Sequence, residues 1–214
     1  MCWNAEISLN TFLFSAFVLL LILYNNAYTK YKINSFENKW FVLFVVLVIS
    51  VQLLEHFIWK NINNREYNII FSSILYLIIF LEPVATTMLI SDETLRNAIL
   101  FLYIIGGILY TLYMLLNMGY PATSVSSAGH LKWNYGVYWP YQIVFLVFLV
   151  FPFVYERMWW KTFLGIASYA FAFYNYVQDR TITSMWCWVI NSMMIITSGY
   201  LLIYLPFLEK CKLC

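Results

Sequence analysis

Charge is scarce in this chain, and that scarcity decides its class. Only 10% of the 214 residues are Asp, Glu, Lys or Arg, while 63% are hydrophobic. A soluble domain of this length has no use for so much apolar surface, whereas a polytopic membrane protein does. The formal net charge of +2 supplies neither the basic field that nucleic acid requires nor a strong pull on an acidic substrate, so no nucleic-acid partner is expected.

Histidine and cysteine are nearly as thin, at two and four residues. Zinc takes three or four ligands from His, Cys and carboxylate. His56, His130, Glu55, Asp179, Cys2 and Cys187 contain no ligand-spaced motif such as His-x-x-x-His. Glu55 and His56, adjacent on a helix, point about 100° apart, which is poor for joint chelation. No metal site is therefore expected, and bis-histidine haem is disfavoured by the loop position of His130. Four cysteines in so long a chain do not suggest a disulfide scaffold. Glycine is sparse and forms no phosphate loop, and no Ser, Thr or Cys sits in a recognisable nucleophile motif. The first apolar run lacks a basic leader and an Ala-x-Ala-like site, so it does not read as a cleavable signal. An Asn-x-Ser/Thr sequon is also missing, which leaves the compartment open.

What the chain has in abundance is long apolar runs. A spanning helix needs about 20 apolar residues. Seven runs qualify, at about 9–28, 39–59, 68–90, 96–117, 138–156, 160–178 and 183–206. The expectation is an all-α fold: one seven-helix transmembrane domain over residues 1–214, integral to a membrane and multi-pass, with the lipid bilayer as its main partner. Basic residues in short loops orient it. With the N-terminus outside, Lys30, Lys32, Lys39, Arg96, Arg157, Lys161, Lys210 and Lys212 fall inside, against Lys60, Arg65, Lys132 and Arg180 outside. That favours N-out, C-in. Trp3, Trp40, Trp59, Trp139, Trp159, Trp160, Trp186 and Trp188 fall near the run ends, where amphipathic rings settle at the interface. The seventh run contains no lysine for a retinal Schiff base, and no other lysine lies at membrane depth, so no such cofactor is expected.

Polar groups inside these runs are the candidate site. Gln52, Glu55, His56 and Trp59 fall at i, i+3, i+4 and i+7, one stripe of the second helix. Such groups normally turn toward other helices or a wet cavity. Similar stripes are Ser168, Ala172, Asn175 and Asp179 on the sixth helix and Cys187, Asn191 and Ser198 on the seventh. The fourth carries Gly106, Tyr110, Tyr113 and Asn117, and the first Ser8, Thr11 or Phe12, and Ser15. They either hold the bundle together by interhelical hydrogen bonds or line one shared cavity. With N-out, Glu55, His56, Asn175, Asp179, Cys187, Asn191, the His130 loop and Cys2, Trp3 and Glu6 lie toward the outer surface and could form a vestibule. Glu82-Pro83 is a second signal. Proline leaves a carbonyl one turn earlier without its donor, and a glutamate beside that kink suits a proton relay or a neutral structural carboxyl equally. At the C-terminus, Cys211 and Cys214 are juxtamembrane palmitoylation candidates, with unmodified thiols as the default.

The opening Met1-Cys2-Trp3-Asn4-Ala5-Glu6-Ile7-Ser8, the Gln52-x-x-Glu55 span and Gly129-His130-Leu131-Lys132-Trp133 resemble a family of uncharacterised multi-span membrane proteins of large DNA viruses and scattered microbes. The resemblance implies a host or viral membrane and brings no activity with it. On the residues alone, the first functional expectation is a small proton or cation channel or transporter working through Glu55 and Glu82. A receptor or sensor binding a small apolar ligand in an outward-facing pocket is the alternative. An intramembrane enzyme, which would need Glu55, His56 and His130 to converge, and a purely structural protein complete the set.

Overall fold

The computed structural model describes residues 4–136 and 139–212. Its helices are α1 (Ala5–Tyr28), α2 (Lys39–Lys60), α3 (Arg65–Thr87), α4 (Glu93–Met118), α5 (Trp139–Tyr155), α6 (Trp159–Tyr176) and α7 (Ile182–Gly199). The last runs on through a π-helical turn, Tyr200–Tyr204, into α8 (Leu205–Lys212). Met1, Cys2, Trp3 and Cys214 lie outside the described residues.

Asparagine and aspartate start these helices. The side chains of Asn4, Asn38, Asn64 and Asp92 accept from the backbone N–H groups of Ile7, Trp40, Tyr67 and Leu95, which would otherwise be orphan donors. Gly119, at φ 76°, ends α4 in a conformation that a residue with a Cβ resists.

Five stretches are long and apolar enough to cross a membrane: α1, α2, α3, α4 and the continuous Ile182–Leu208. The two remaining runs behave differently. α5 has 17 residues, about 26 Å of helix against a hydrocarbon core of about 30 Å. α6 has 18 residues, but Lys161, Gly165, Ser168 and three tyrosines dilute its apolar character.

α2 packs against α1, α3 and α7; α3 continues to α5, α5 to α6, and α6 back to α7. This circuit leaves α4 on the outside, resting on α3. Its true inward face is Tyr103, Gly107, Tyr110 and Met114, while Tyr113 and Asn117 are exposed. The expected stripe on α4 is thus rotated, because an almost uniformly apolar cylinder does not reveal which side has a neighbour. Trp186, expected at the interface, is buried and donates its indole N–H to Ser168 Oγ at 2.9 Å.

The α4–α5 connection is not open loop. Thr123–Val125 (β1) and Leu131–Trp133 (β2) form an antiparallel hairpin with Thr123 opposite Trp133. The chain turns at Gly129, φ 81°. Leu131 and Trp133 enter a core cluster with Val51, Leu54 and Ile58 of α2, Leu75 of α3 and Cys187 of α7. The hairpin is a plug on the end of the bundle.

Candidate functional site

Three polar anchors hold the plug. Asn68 of α3 exchanges two hydrogen bonds with Thr123: its Nδ2 donates to the Thr123 carbonyl at 2.9 Å, and the Thr123 N–H donates to its Oδ1 at 2.9 Å. A side-chain amide here completes the pairing that a neighbouring strand would supply. Ser72, one turn on, shares a hydrogen bond with the Thr123 hydroxyl at 2.8 Å. On the opposite side, Ser184 of α7 donates to the Leu131 carbonyl at 2.9 Å. The third anchor is Asp179, in the α6–α7 turn, which accepts from Ser126 Oγ at 2.7 Å and Ser127 Oγ at 3.4 Å. Burial works to raise the Asp179 pKa, but the hydrogen bonds from Ser126, Thr181 and the Ala128 backbone outweigh it and hold the carboxyl below its ordinary value. His130, at the hairpin turn, lies edge-on to Tyr176 and close to Asp179. Burial pushes its imidazole below the usual value, against the pull of the Asp179 carboxylate.

Beneath the plug, between α3, α4 and α5, lies a cavity of about 380 Å³. Its walls are aromatic. Phe80 stacks on Tyr103 at 5.2 Å, Tyr103 meets Phe148 at 5.1 Å, and Tyr110 lies 4.0 Å from Tyr141. Trp133 roofs it from the hairpin, and Trp186 and Cys187 reach it from α7. Gly107 makes the arrangement possible, since a Cβ there would stand 2.2 Å from the Phe80 ring. Wall hydroxyls are used within the protein: Tyr76 with Thr111 at 2.8 Å, Tyr103 to the Phe80 carbonyl at 3.1 Å, and Tyr110 to the Tyr135 carbonyl at 2.8 Å. Glu82 lines the cavity as well, 3% exposed, with Oε1 lacking a hydrogen-bond partner among the described residues.

The other sequence candidates form a separate centre. Gln52 and Glu55 are fully buried on α2, and Gln52 Nε2 donates to Glu55 Oε2 at 3.0 Å. Asn191 of α7 donates to the Val48 carbonyl at 3.2 Å and the Cys187 carbonyl at 2.9 Å, which ties α7 to α2 one turn from Gln52. His56 Nδ1 lies 2.7 Å from the Ala5 carbonyl. A carbonyl only accepts, so Nδ1 carries the proton and His56 fastens α1 to α2. None of Gln52, Glu55 or His56 lines the cavity. Asn175, expected inside, is exposed and donates to the Phe171 carbonyl of its own helix at 2.8 Å. No group of three or more His, Cys, Asp or Glu able to hold a metal occurs among the described residues.

Sequence reasoning found Glu82 and Cys187 but missed Tyr76, Phe80, Tyr103 and Trp133. A signal existed in Tyr76-x-x-x-Phe80 and Tyr103-x-x-x-Gly107-x-x-Tyr110, aromatic stripes interrupted by a small residue. Comparison with protein-family models, curated proteins and solved structures finds no match for the chain.

Proposed function

We propose that this is a seven-span membrane protein, N-terminus outside and C-terminus inside, that binds a small apolar molecule in the cavity under the hairpin. The observation that carries the reading is the cavity itself: about 380 Å³, walled by aromatic rings and roofed by a hairpin held at three anchors. Ligand sites have this size and make-up, with mostly apolar walls and few polar groups. A folded plug bound to α3, α7 and the α6–α7 turn suits a site that opens and closes at one end. The test uses 4-tert-butylbenzyl alcohol in equilibrium dialysis against the protein in zwitterionic nanodiscs, with empty nanodiscs subtracted. Binding above the empty discs is expected, and Ile79→Trp, which fills the cavity, should abolish it while the protein stays folded. Binding that survives the filled cavity would refute this site.

A second reading is a proton or cation path. It is supported by the buried Glu82 beside Pro83, with the cavity reaching that carboxyl. Its weakness is Glu55, which is hydrogen-bonded to Gln52 in a separate polar centre. Flux into proteoliposomes that Glu82→Gln removes would favour this reading. Flux removed by Glu55→Gln as well would require the two centres to be joined.

A further inference from the structure

Two groups that line the cavity lack a hydrogen-bond partner among the described residues, the Glu82 Oε1 acceptor and the Trp133 indole N–H donor. Tyr76, Tyr103 and Tyr110 satisfy their hydroxyls within the protein. Glu82 does not share this arrangement: the residue is 3% exposed, it lines the cavity, and its Oε1 has no hydrogen-bond partner among the described residues. A bare carboxylate at such a place is costly, and a ligand that brings a donor or a positive charge would offset that cost. Next to it the Phe80, Tyr103 and Phe148 rings form one continuous wall, with centroids 5.2 and 5.1 Å apart. Ring faces carry negative potential and attract cations. Carboxylate and wall therefore select the same sign. An anionic ligand would meet repulsion from both. A hard metal ion would find one carboxylate where it needs about six oxygens.

We propose that the ligand is a lipophilic amine, bound as its ammonium with Glu82 as counter-ion and its apolar body along the aromatic wall. This rests on the apolar-ligand reading of the cavity and names the chemistry that reading leaves open. It also gives Gly107 a role, since the bare backbone lets Phe80 lie against α4 on the same turn of α3 as Glu82.

The experiment compares 4-tert-butylbenzylamine with 4-tert-butylbenzyl alcohol, matched in shape and differing in charge, by equilibrium dialysis against protein in zwitterionic nanodiscs. The amine is expected to bind at least about tenfold tighter than the alcohol to the wild-type protein, the size of one charge-assisted bond. In Glu82→Gln the amine-to-alcohol ratio should fall close to one, and Tyr103→Leu should lower that ratio a few-fold through loss of the ring face. Should Glu82→Gln fail to fold, the wild-type ratio and Tyr103→Leu still decide. Equal affinities on the wild type, or an amine preference that survives Glu82→Gln, would overturn the proposal while leaving an apolar site standing. If neither probe binds above empty nanodiscs, the apolar-ligand reading itself fails.

Discussion

Asp179 and His130 set how firmly the plug is held, and they titrate in different windows. Asp179 accepts from Ser126, Ser127 and Thr181, so Asp179→Asn weakens charge-assisted bonds at the hairpin tip. The expected cost is about 1 kcal/mol of local opening free energy, read as roughly fivefold lower hydrogen-exchange protection at the Ser126 and His130 amides. The pH dependence follows from the directions of the shifts. Both groups have folded values below their ordinary ones, 3.8 for Asp179 and 6.5 for His130. A depressed value means that the unfolded group binds protons first, so stability is full above the ordinary value and lost as pH falls toward the folded one. Between neutral pH and about 5 only His130 is in its window. The hairpin should therefore loosen on mild acidification, measured as protection corrected for intrinsic rates, and His130→Gln should remove that step. A pH-independent hairpin in the wild type would show that protonated His130 is accommodated without strain.

Among elements, α4 shows how a site can hide in a legible fold. Its apolar length announced a helix, and the helix is there, at Glu93–Met118. Which face it turns inward was not legible. Gly106, Tyr110, Tyr113 and Asn117 were as well spaced as Tyr103, Gly107, Tyr110 and Met114, and lipid accepts an apolar face as readily as a protein neighbour does. Asn68 was hidden for a related reason: it opened an apolar run, and its partner Thr123 lies 55 residues away. The hairpin strands have three residues each, too short for alternation to stand out. Glu82 and the Gln52–Glu55 pair were legible because a carboxyl within an apolar run is rare enough to be noticed alone. The two glycines of α4 now make separable predictions. A Cβ at Gly107 would lie 2.2 Å from the Phe80 ring, whereas one at Gly106 meets nothing within 4 Å. Phe80 is stacked on Tyr103 and has little room to yield, so Gly107→Ala should displace the wall, cost about 1–3 kcal/mol and weaken probe binding about tenfold or more. Gly106→Ala should be close to neutral in thermal stability. Equal effects of the two would mean that Phe80 rotates away freely.

For the whole molecule, the decisive matter is whether the short pair α5 and α6 crosses the membrane with the rest. Contacts at both ends bear on it. The Ser91 N–H, after α3, donates to Glu156 Oε1 at 2.7 Å, which ties the α3–α4 turn to the α5–α6 turn. At the other end, Asn68 and Asp179 tie the start of α3 and the end of α6 to the same hairpin. α5 and α6 thus cover the depth that α3 covers, with 17 and 18 helical residues against 23. The deficit of five or six residues is about 8–9 Å of helix, within reach of the residues flanking each helix together with bilayer thinning. Single cysteines at Ser91, Ser127 and Arg157, in a background with Cys2, Cys187, Cys211 and Cys214 replaced by alanine, test it in intact cells with an impermeant maleimide. Ser127→Cys should label from outside, and Ser91→Cys and Arg157→Cys only after the membrane is opened. The reverse pattern would invert the orientation and put the mouth of the cavity on the inner side. Labelling of Arg157→Cys together with Ser127→Cys from outside would mean that α5 and α6 re-enter without crossing, leaving five spans and a cavity whose α5 wall stands clear of the lipid.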